Sequence, residues 1–165
     1  MAGYVIHLAI ANEYVRKHAD INNIEDYYKG IIYPDSVKDK SLTHYGPNSA
    51  NPNLIKFLEE HKEMNDFEKG YFIHLVSDYI FYRSMEELPD SRIYDDYDIL
   101  NDVVVKKYEV EIPKEVENII HHKEGKLTYL SEELVDKIIE KVSDESIEEY
   151  IKDINENPNK WLNFK

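Results

Sequence analysis

Apolar residues recur at helical spacing along nearly the whole chain, and only two short stretches invite a strand. The first predicted helix runs from about Ile6 to Lys17, with Leu8, Ile10, Ala11 and Val15 facing inward. A second spans Ile24 to Lys29 and stops at Gly30, a residue suited to a helix C-terminus. Ile31-Ile32-Tyr33-Pro34-Asp35 follows. Its proline disfavours helix at Tyr33 and puts Asp35 on an extended segment or turn. Val37 to Asn53 reads as a long ordered loop punctuated by Gly46, Pro47 and Pro52. Asn51-Pro52 then starts a third helix that ends near Lys62.

Asn65 or Asp66 caps a long helix to about Glu87, stopped by Pro89. Further helices are predicted from Asp95 to Tyr108, from Pro113 to Gly125, from a Ser131 cap through Val142, and from an Asp144 cap through about Asn155. Lys126 to Leu130 reads as a short extended connector, and Trp161, Leu162 and Phe164 fold back onto the bundle. There is no internal repeat or low-complexity tract. The expected architecture is all-α, a single compact multi-helix domain over residues 1–165.

Composition narrows the partners. With 165 residues, 42% hydrophobic and 33% charged, the chain suits one globular domain with a real core. It has no cysteine, so disulfides and thiolate sites are excluded and any metal must be held by His, Asp and Glu. A net charge of -14 argues against nucleic acid and anionic membrane surfaces, both of which require a basic face. The same charge favours cations as guests, or serves solubility alone. No secretory signal opens the chain, because Met1-Ala2-Gly3 runs straight into the apolar stretch Tyr4 to Ile10. The longest apolar-rich stretch, Gly70 to Tyr82, is too short for a transmembrane segment and holds His74 and Asp78, so a cytoplasmic location is expected. Heavy use of Tyr, Ile, Lys, Asn and Glu points to an AT-rich bacterial genome.

The strongest chemical signal lies in Gly70-Tyr71-Phe72-Ile73-His74-Leu75-Val76-Ser77-Asp78-Tyr79. His74 and Asp78 stand four apart, which on a helix places them on one face with Cβ atoms about 5–6 Å apart. Such a pair can converge on one metal ion. Gly70 shares that face and implies close approach by backbone or substrate, since a mid-helix glycine costs roughly 1 kcal/mol relative to alanine. The apolar neighbours predict burial, and a buried ionised aspartate needs a partner or a metal. A His74–Asp78 hydrogen bond, or a salt bridge from Asp78 to a core Lys or Arg, would also satisfy it.

Three further residues enlarge the set. His7 opens an apolar helix, Asp35 follows Pro34 in a constrained turn, and His44 sits in the long loop within Leu42-Thr43-His44-Tyr45-Gly46. Singly they also read as a core histidine, a turn residue and a surface residue. The order His7, Pro34-Asp35, His44 and His74-x-x-x-Asp78 resembles the bacterial zinc-dependent phospholipase C family, and more closely its compact intracellular relatives. The resemblance covers about residues 4–102.

It implies an all-α domain holding up to three zinc ions. On that pattern Asp35, His44, His74 and Asp78 surround one Zn2+, and Asp78 bridges to a second shared with His7. Asp35 doubles as general base. In the secreted enzymes the mature N-terminal amine also binds the second ion; here six residues precede His7, far fewer than in those enzymes, and an amine ligand would require processing to Ala2. The family's third site uses two histidines and a glutamate, from which this chain departs. Asp98 and Asp102 keep the spacing of four and are the substitutes, although they also read as a solvated acidic first turn. An all-carboxylate site favours Mg2+, Mn2+ or Ca2+ over zinc, so two Zn2+ ions are the preferred count.

The expected activity is a metal-dependent phosphoesterase acting on a small phosphate ester or a lipid headgroup through a metal-activated water. Rival readings are a non-catalytic metal-binding protein with a closed ligand shell, and a metal-free helical interaction domain. An HD-type phosphohydrolase is disfavoured because no His-Asp dipeptide occurs. His121 and His122, near the expected helix end at Gly125, are assigned no role, and neither are His18 and His61.

Overall fold

The computed structural model describes residues 3–165, and among these every regular element is a helix. α1 (Tyr4–Lys17), α2 (Ile24–Ile32) and α5 (Asp66–Arg83) form the centre. A 3-10 turn at Tyr33–Asp35, the short α3 (Ser41–His44) and α4 (Leu54–Glu60) join α2 to α5. Beyond them follow α6 (Ile93–Lys107), α7 (Glu132–Asp144), α8 (Ile147–Glu156) and α9 (Pro158–Trp161). One hydrophobic core runs through all the longer helices. No helix is long and apolar enough to cross a membrane.

α5 is the axis. Its N-terminus carries a capping box in which Asn65 accepts from the Glu68 backbone and Glu68 reaches back to the Asn65 N–H. From Gly70 to Tyr82 every residue is buried, so this helix has no solvent face. It ends at Arg83, before the expected Glu87.

α2 does not stop at Gly30. A Cβ on Gly30 would lie 1.9 Å from the Phe67 carbonyl oxygen, and one on Gly70 would lie 2.0 Å from that of Tyr27. The two glycines therefore let the backbones of α2 and α5 touch, each removing the side chain that would hold the other helix off. Gly30 serves contact rather than termination. Gly70 marks approach by backbone, one of the two uses its position allowed.

Other boundaries shift for local reasons. α1 begins two residues early, and Tyr14 joins the core fully while Val15 packs against it partly buried. Asn53, not Asn51, caps α4, because the Asn51 side chain is bonded to both backbone groups of Lys165. α3 interrupts the expected loop and ends at Tyr45, whose φ of 59° is left-handed. Ser131 caps α7 as expected, while α8 starts at a Ser146–Glu149 capping box rather than at Asp144. Of the three C-terminal apolar residues only Trp161 is buried; Leu162 and Phe164 are 40% and 38% exposed.

The predicted helix from Pro113 to Gly125 is absent apart from a 3-10 turn at Glu117–Ile119. Of its apolar residues only Val116 is buried, so a helix there would have no stripe to bury. The segment is pinned to α6 instead. Asn101 donates to the His121 carbonyl at 2.8 Å, and the Lys123 N–H donates to that of Asp98. Farther on, buried Asp96 accepts the backbone N–H groups of Thr128, Tyr129 and Leu130 at 2.8, 2.7 and 2.9 Å.

Candidate metal centre

Close packing of α2 on α5 delivers the first two components. It sets the Ile31 carbonyl 2.6 Å from His74 Nδ1, which fixes that nitrogen as the donor and aims Nε2 the other way. The chain then turns through Tyr33–Asp35. The 3-10 turn, rather than the extended segment expected, swings the Asp35 side chain back under α5. Thr43 Oγ1 donates to the Pro34 carbonyl at 2.7 Å, and Tyr4 Oη donates to the Asp35 carbonyl at 2.9 Å, so the turn is held from both sides.

α3 supplies His44 by the same logic as His74. His44 Nδ1 lies 3.0 Å from the Lys40 carbonyl, leaving Nε2 facing inward. His7 comes from the first turns of α1, with its ring stacked on that of His74 at 3.7 Å and an interplanar angle of 9°.

Asp35, His44, His74 and Asp78 thus meet in one buried group whose ligand atoms all lie within 4.8 Å of one another. Asp78 Oδ2 is 2.9 Å from His44 Nε2 and 3.2 Å from His74 Nε2. Asp35 Oδ1 is 3.8 Å from His44 Nε2 and 3.5 Å from His74 Nε2. Four atoms placed tetrahedrally at ordinary zinc–ligand distances are about 3.3 Å apart. The observed separations bracket that value. The group can hold a metal ion.

The remaining carboxylate oxygens face His7. Its Nε2 is 3.0 Å from Asp78 Oδ1 and 3.9 Å from Asp35 Oδ2. Each aspartate therefore turns one oxygen to the His44–His74 side and the other to His7, a disposition open to bridging by both and not by Asp78 alone.

Hydrogen-bond accounting supports the same reading. Both Asp35 oxygens, His74 Nε2 and His7 Nδ1 are buried without a hydrogen-bond partner. Buried polar atoms are nearly always satisfied, and a missing cation accounts for three of these four at once. Charge is compensated only among the ionisable groups. Burial works to raise the Asp78 carboxyl, but His7 and His74 outweigh it and hold the group well below its ordinary range. Asp35 is likewise lowered against the effect of burial, chiefly by His74. Burial acts to lower His74, yet Asp35 and Asp78 push it up to about 10, whereas burial and the neighbouring His74 hold His7 below its ordinary value.

An open cleft of about 760 Å³ meets this group at Asp35. His44, His74 and Asp78 are wholly buried; Asp35, 5% exposed, is the cluster member that lines the cleft. Lys38, Asp39 and Lys40 line it together with the aromatic Tyr4, Tyr82 and Tyr94. Burial, then Asp35, pushes the Tyr4 phenol up to about 12, so it remains a donor.

Asp98 and Asp102 are not brought to this group. Asp98 is partly exposed, and exposed Asp102 pairs with His122 Nδ1 at 2.7 Å. Because the helix expected to end at Gly125 does not form, His121 and His122 lie on irregular chain. Ala2 lies outside the described residues. Sequence reasoning missed Lys40, whose only signal was its place four residues before His44. It also missed Asp96, whose partners are distant backbone N–H groups that leave no pattern in the chain.

Comparison with family models, curated proteins and solved structures found no match.

Proposed function

We propose that this chain is a metal-dependent phosphoesterase, with zinc as the resident ion and a small phosphate ester or a lipid headgroup as substrate. The observation that carries this reading is a set of buried, unsatisfied ligand atoms meeting, at Asp35, an open cleft whose lining includes Lys38, Asp39 and Lys40. Asp35, His44, His74 and Asp78 would hold one ion, and His7 with the outward oxygens of both aspartates would contribute to a second. Divalent ions bound there supply Lewis-acid charge that polarises a phosphoryl oxygen and acidifies water.

The chain's own residues supply the rest. The Ile31 and Lys40 carbonyls lock His74 and His44 in the tautomer that presents Nε2. Asp35, the member within reach of the cleft, would take the proton of the attacking water as that oxygen bonds to phosphorus and the ester P–O bond breaks in line, and would return it to the departing alkoxide, which leaves as the alcohol. The order of ligand residues resembles that of zinc-dependent phospholipases C, which favours phosphate-ester chemistry over other metal hydrolysis.

A second reading draws on the donor count. Four protein ligands complete a tetrahedral shell, as in purely structural zinc sites. The experiment is metal analysis of the unchelated protein by ICP-MS, paired with hydrolysis of p-nitrophenyl phosphate and bis(p-nitrophenyl) phosphate before and after EDTA. Zinc with EDTA-sensitive hydrolysis supports the esterase. Zinc without hydrolysis supports the structural site, and absence of any transition metal overturns both.

A further inference from the structure

Lys40 is bonded in an unusual way for a lysine of so acidic a chain. Its ammonium donates to the carbonyls of Asp35, at 2.8 Å, and of Val37. Its own carbonyl accepts from His44 Nδ1. One residue therefore braces two of the candidate ligands. Several lysines on the helical faces pair with carboxylates, as Lys17 does with Asp144 and Lys137 with Glu133, whereas among the described residues the partly buried Lys40 has no carboxylate within ion-pair distance.

A full positive charge is more than this bracing requires, since an uncharged amide can also donate to two carbonyls. An ammonium has three N–H donors, and the two carbonyls use two. The third, with the uncompensated charge, is left on the wall of the cleft that Lys40 shares with Asp35. Asp39, the other acidic residue of this wall, is engaged by Ser41, so a partly buried cation with no direct ion pair, beside a group that can hold a metal ion, suits an anion from solution.

We propose that Lys40 is a substrate-binding residue whose ammonium grips a non-bridging oxygen of the phosphoryl group held in the cleft. This rests on the phosphate-ester reading for the nature of the anion. It goes beyond it by assigning recognition to a residue outside the ligand set.

The test uses the full chain reconstituted with zinc and inorganic phosphate as probe, with binding measured by calorimetry. Lys40→Gln keeps a donor for the carbonyls and removes the charge; Lys40→Arg keeps both. The glutamine variant should retain zinc and lose phosphate affinity by about 10- to 100-fold, with the arginine variant staying within about threefold of wild type. Should the glutamine variant lose its zinc, the wild-type protein answers alone. Phosphate should slow reductive methylation of Lys40 at least about fivefold, read by peptide mass spectrometry, and leave exposed Lys137 unaffected. Unchanged phosphate affinity in a zinc-loaded glutamine variant, or no protection of Lys40, overturns the proposal. The two readings fail separately. Lys40-dependent phosphate binding without hydrolysis of any ester removes the esterase and keeps this role; hydrolysis with phosphate affinity indifferent to Lys40 does the reverse.

Discussion

Asp96 and Asp35 are both buried aspartates, 0% and 5% exposed, and their surroundings are opposite. Asp96 accepts three backbone N–H groups from residues 128–130, an arrangement in which fixed dipoles satisfy the anion and nothing further is needed. Asp35 accepts none, and its nearest partners are imidazole nitrogens of His74, His44 and His7 at 3.5, 3.8 and 3.9 Å, groups that can turn a lone pair to a metal ion once deprotonated. Burial of a carboxylate thus does not identify a ligand. What separates the two is whether the neighbours are fixed backbone donors or side chains able to ligate a metal. Asp96 ties a loop to α6; Asp35 belongs to a group that can hold a metal ion.

The contrast breaks most sharply at Asp78. Asp78→Asn should abolish zinc binding, an affinity loss beyond about 100-fold, measured by ICP-MS with circular dichroism confirming the fold. Asp96→Ala should do the converse. Three N–H groups lose their acceptor, the urea midpoint should fall by the equivalent of about 3 kcal/mol, and zinc stoichiometry should stay at the wild-type value. Retention of zinc by the first variant, or its loss from the second, would remove the distinction.

Next in size is Gly70→Ala. The added Cβ would sit 2.0 Å from the Tyr27 carbonyl oxygen and push α2 off α5. About 1–3 kcal/mol of stability should be lost. Zinc affinity should fall with it, because the Ile31 carbonyl leaves His74 Nδ1; a competitive chelator titration that showed stability lost and affinity intact would refute the link.

Proton linkage gives a finer test. Burial lowers His74 and the two aspartates more than offset it, so its value in the metal-free chain is about 10. A raised value means stability that is full below the unfolded value of about 6.5 and is lost as pH rises through about 10. Zinc must displace that proton. Apparent affinity should therefore climb about tenfold per pH unit from pH 7 to 9, with about one proton released per ion at this residue, seen as a dependence of calorimetric heat on buffer ionisation. A flat profile would place His74 outside the ligand set. The smallest effect belongs to Asp102→Asn, exposed and paired with His122. Stability should shift by no more than about 0.5 kcal/mol with zinc stoichiometry unchanged, and a lost ion would instead reveal a third site.

The legible parts of the fold were those governed by local rules. The α5 capping box, the Ser131 cap and the apolar runs of α1 and α5 all declare themselves within a few residues. Gly30 and Pro113 misled because their outcomes depend on distant chain: one needed Phe67 opposite, and the other needed an apolar stripe and a partner to bury it. The site divides likewise. His74 and Asp78 are visible by spacing alone, and His7, Asp35 and His44 by order and setting. The tethers that orient them, the Ile31 and Lys40 carbonyls, are backbone groups that every residue possesses, so no residue type signals them.

The placement of α1 carries a consequence for how such a centre is assembled as the chain is made. Asp35, His44, His74 and Asp78 all belong to the stretch from α2 to α5, which packs on itself through the two glycines. His7, though synthesised first, rides on a helix whose other flank is covered by α7, from the far end of the chain. The four-residue group can close, and α1 can dock on α2 and α5, while the ribosome is still at work, but the other flank of α1 is covered only after α7 has emerged. The earliest residue of the centre in the chain is then the last to be fully enclosed, after the synthesis of roughly a further third of the protein.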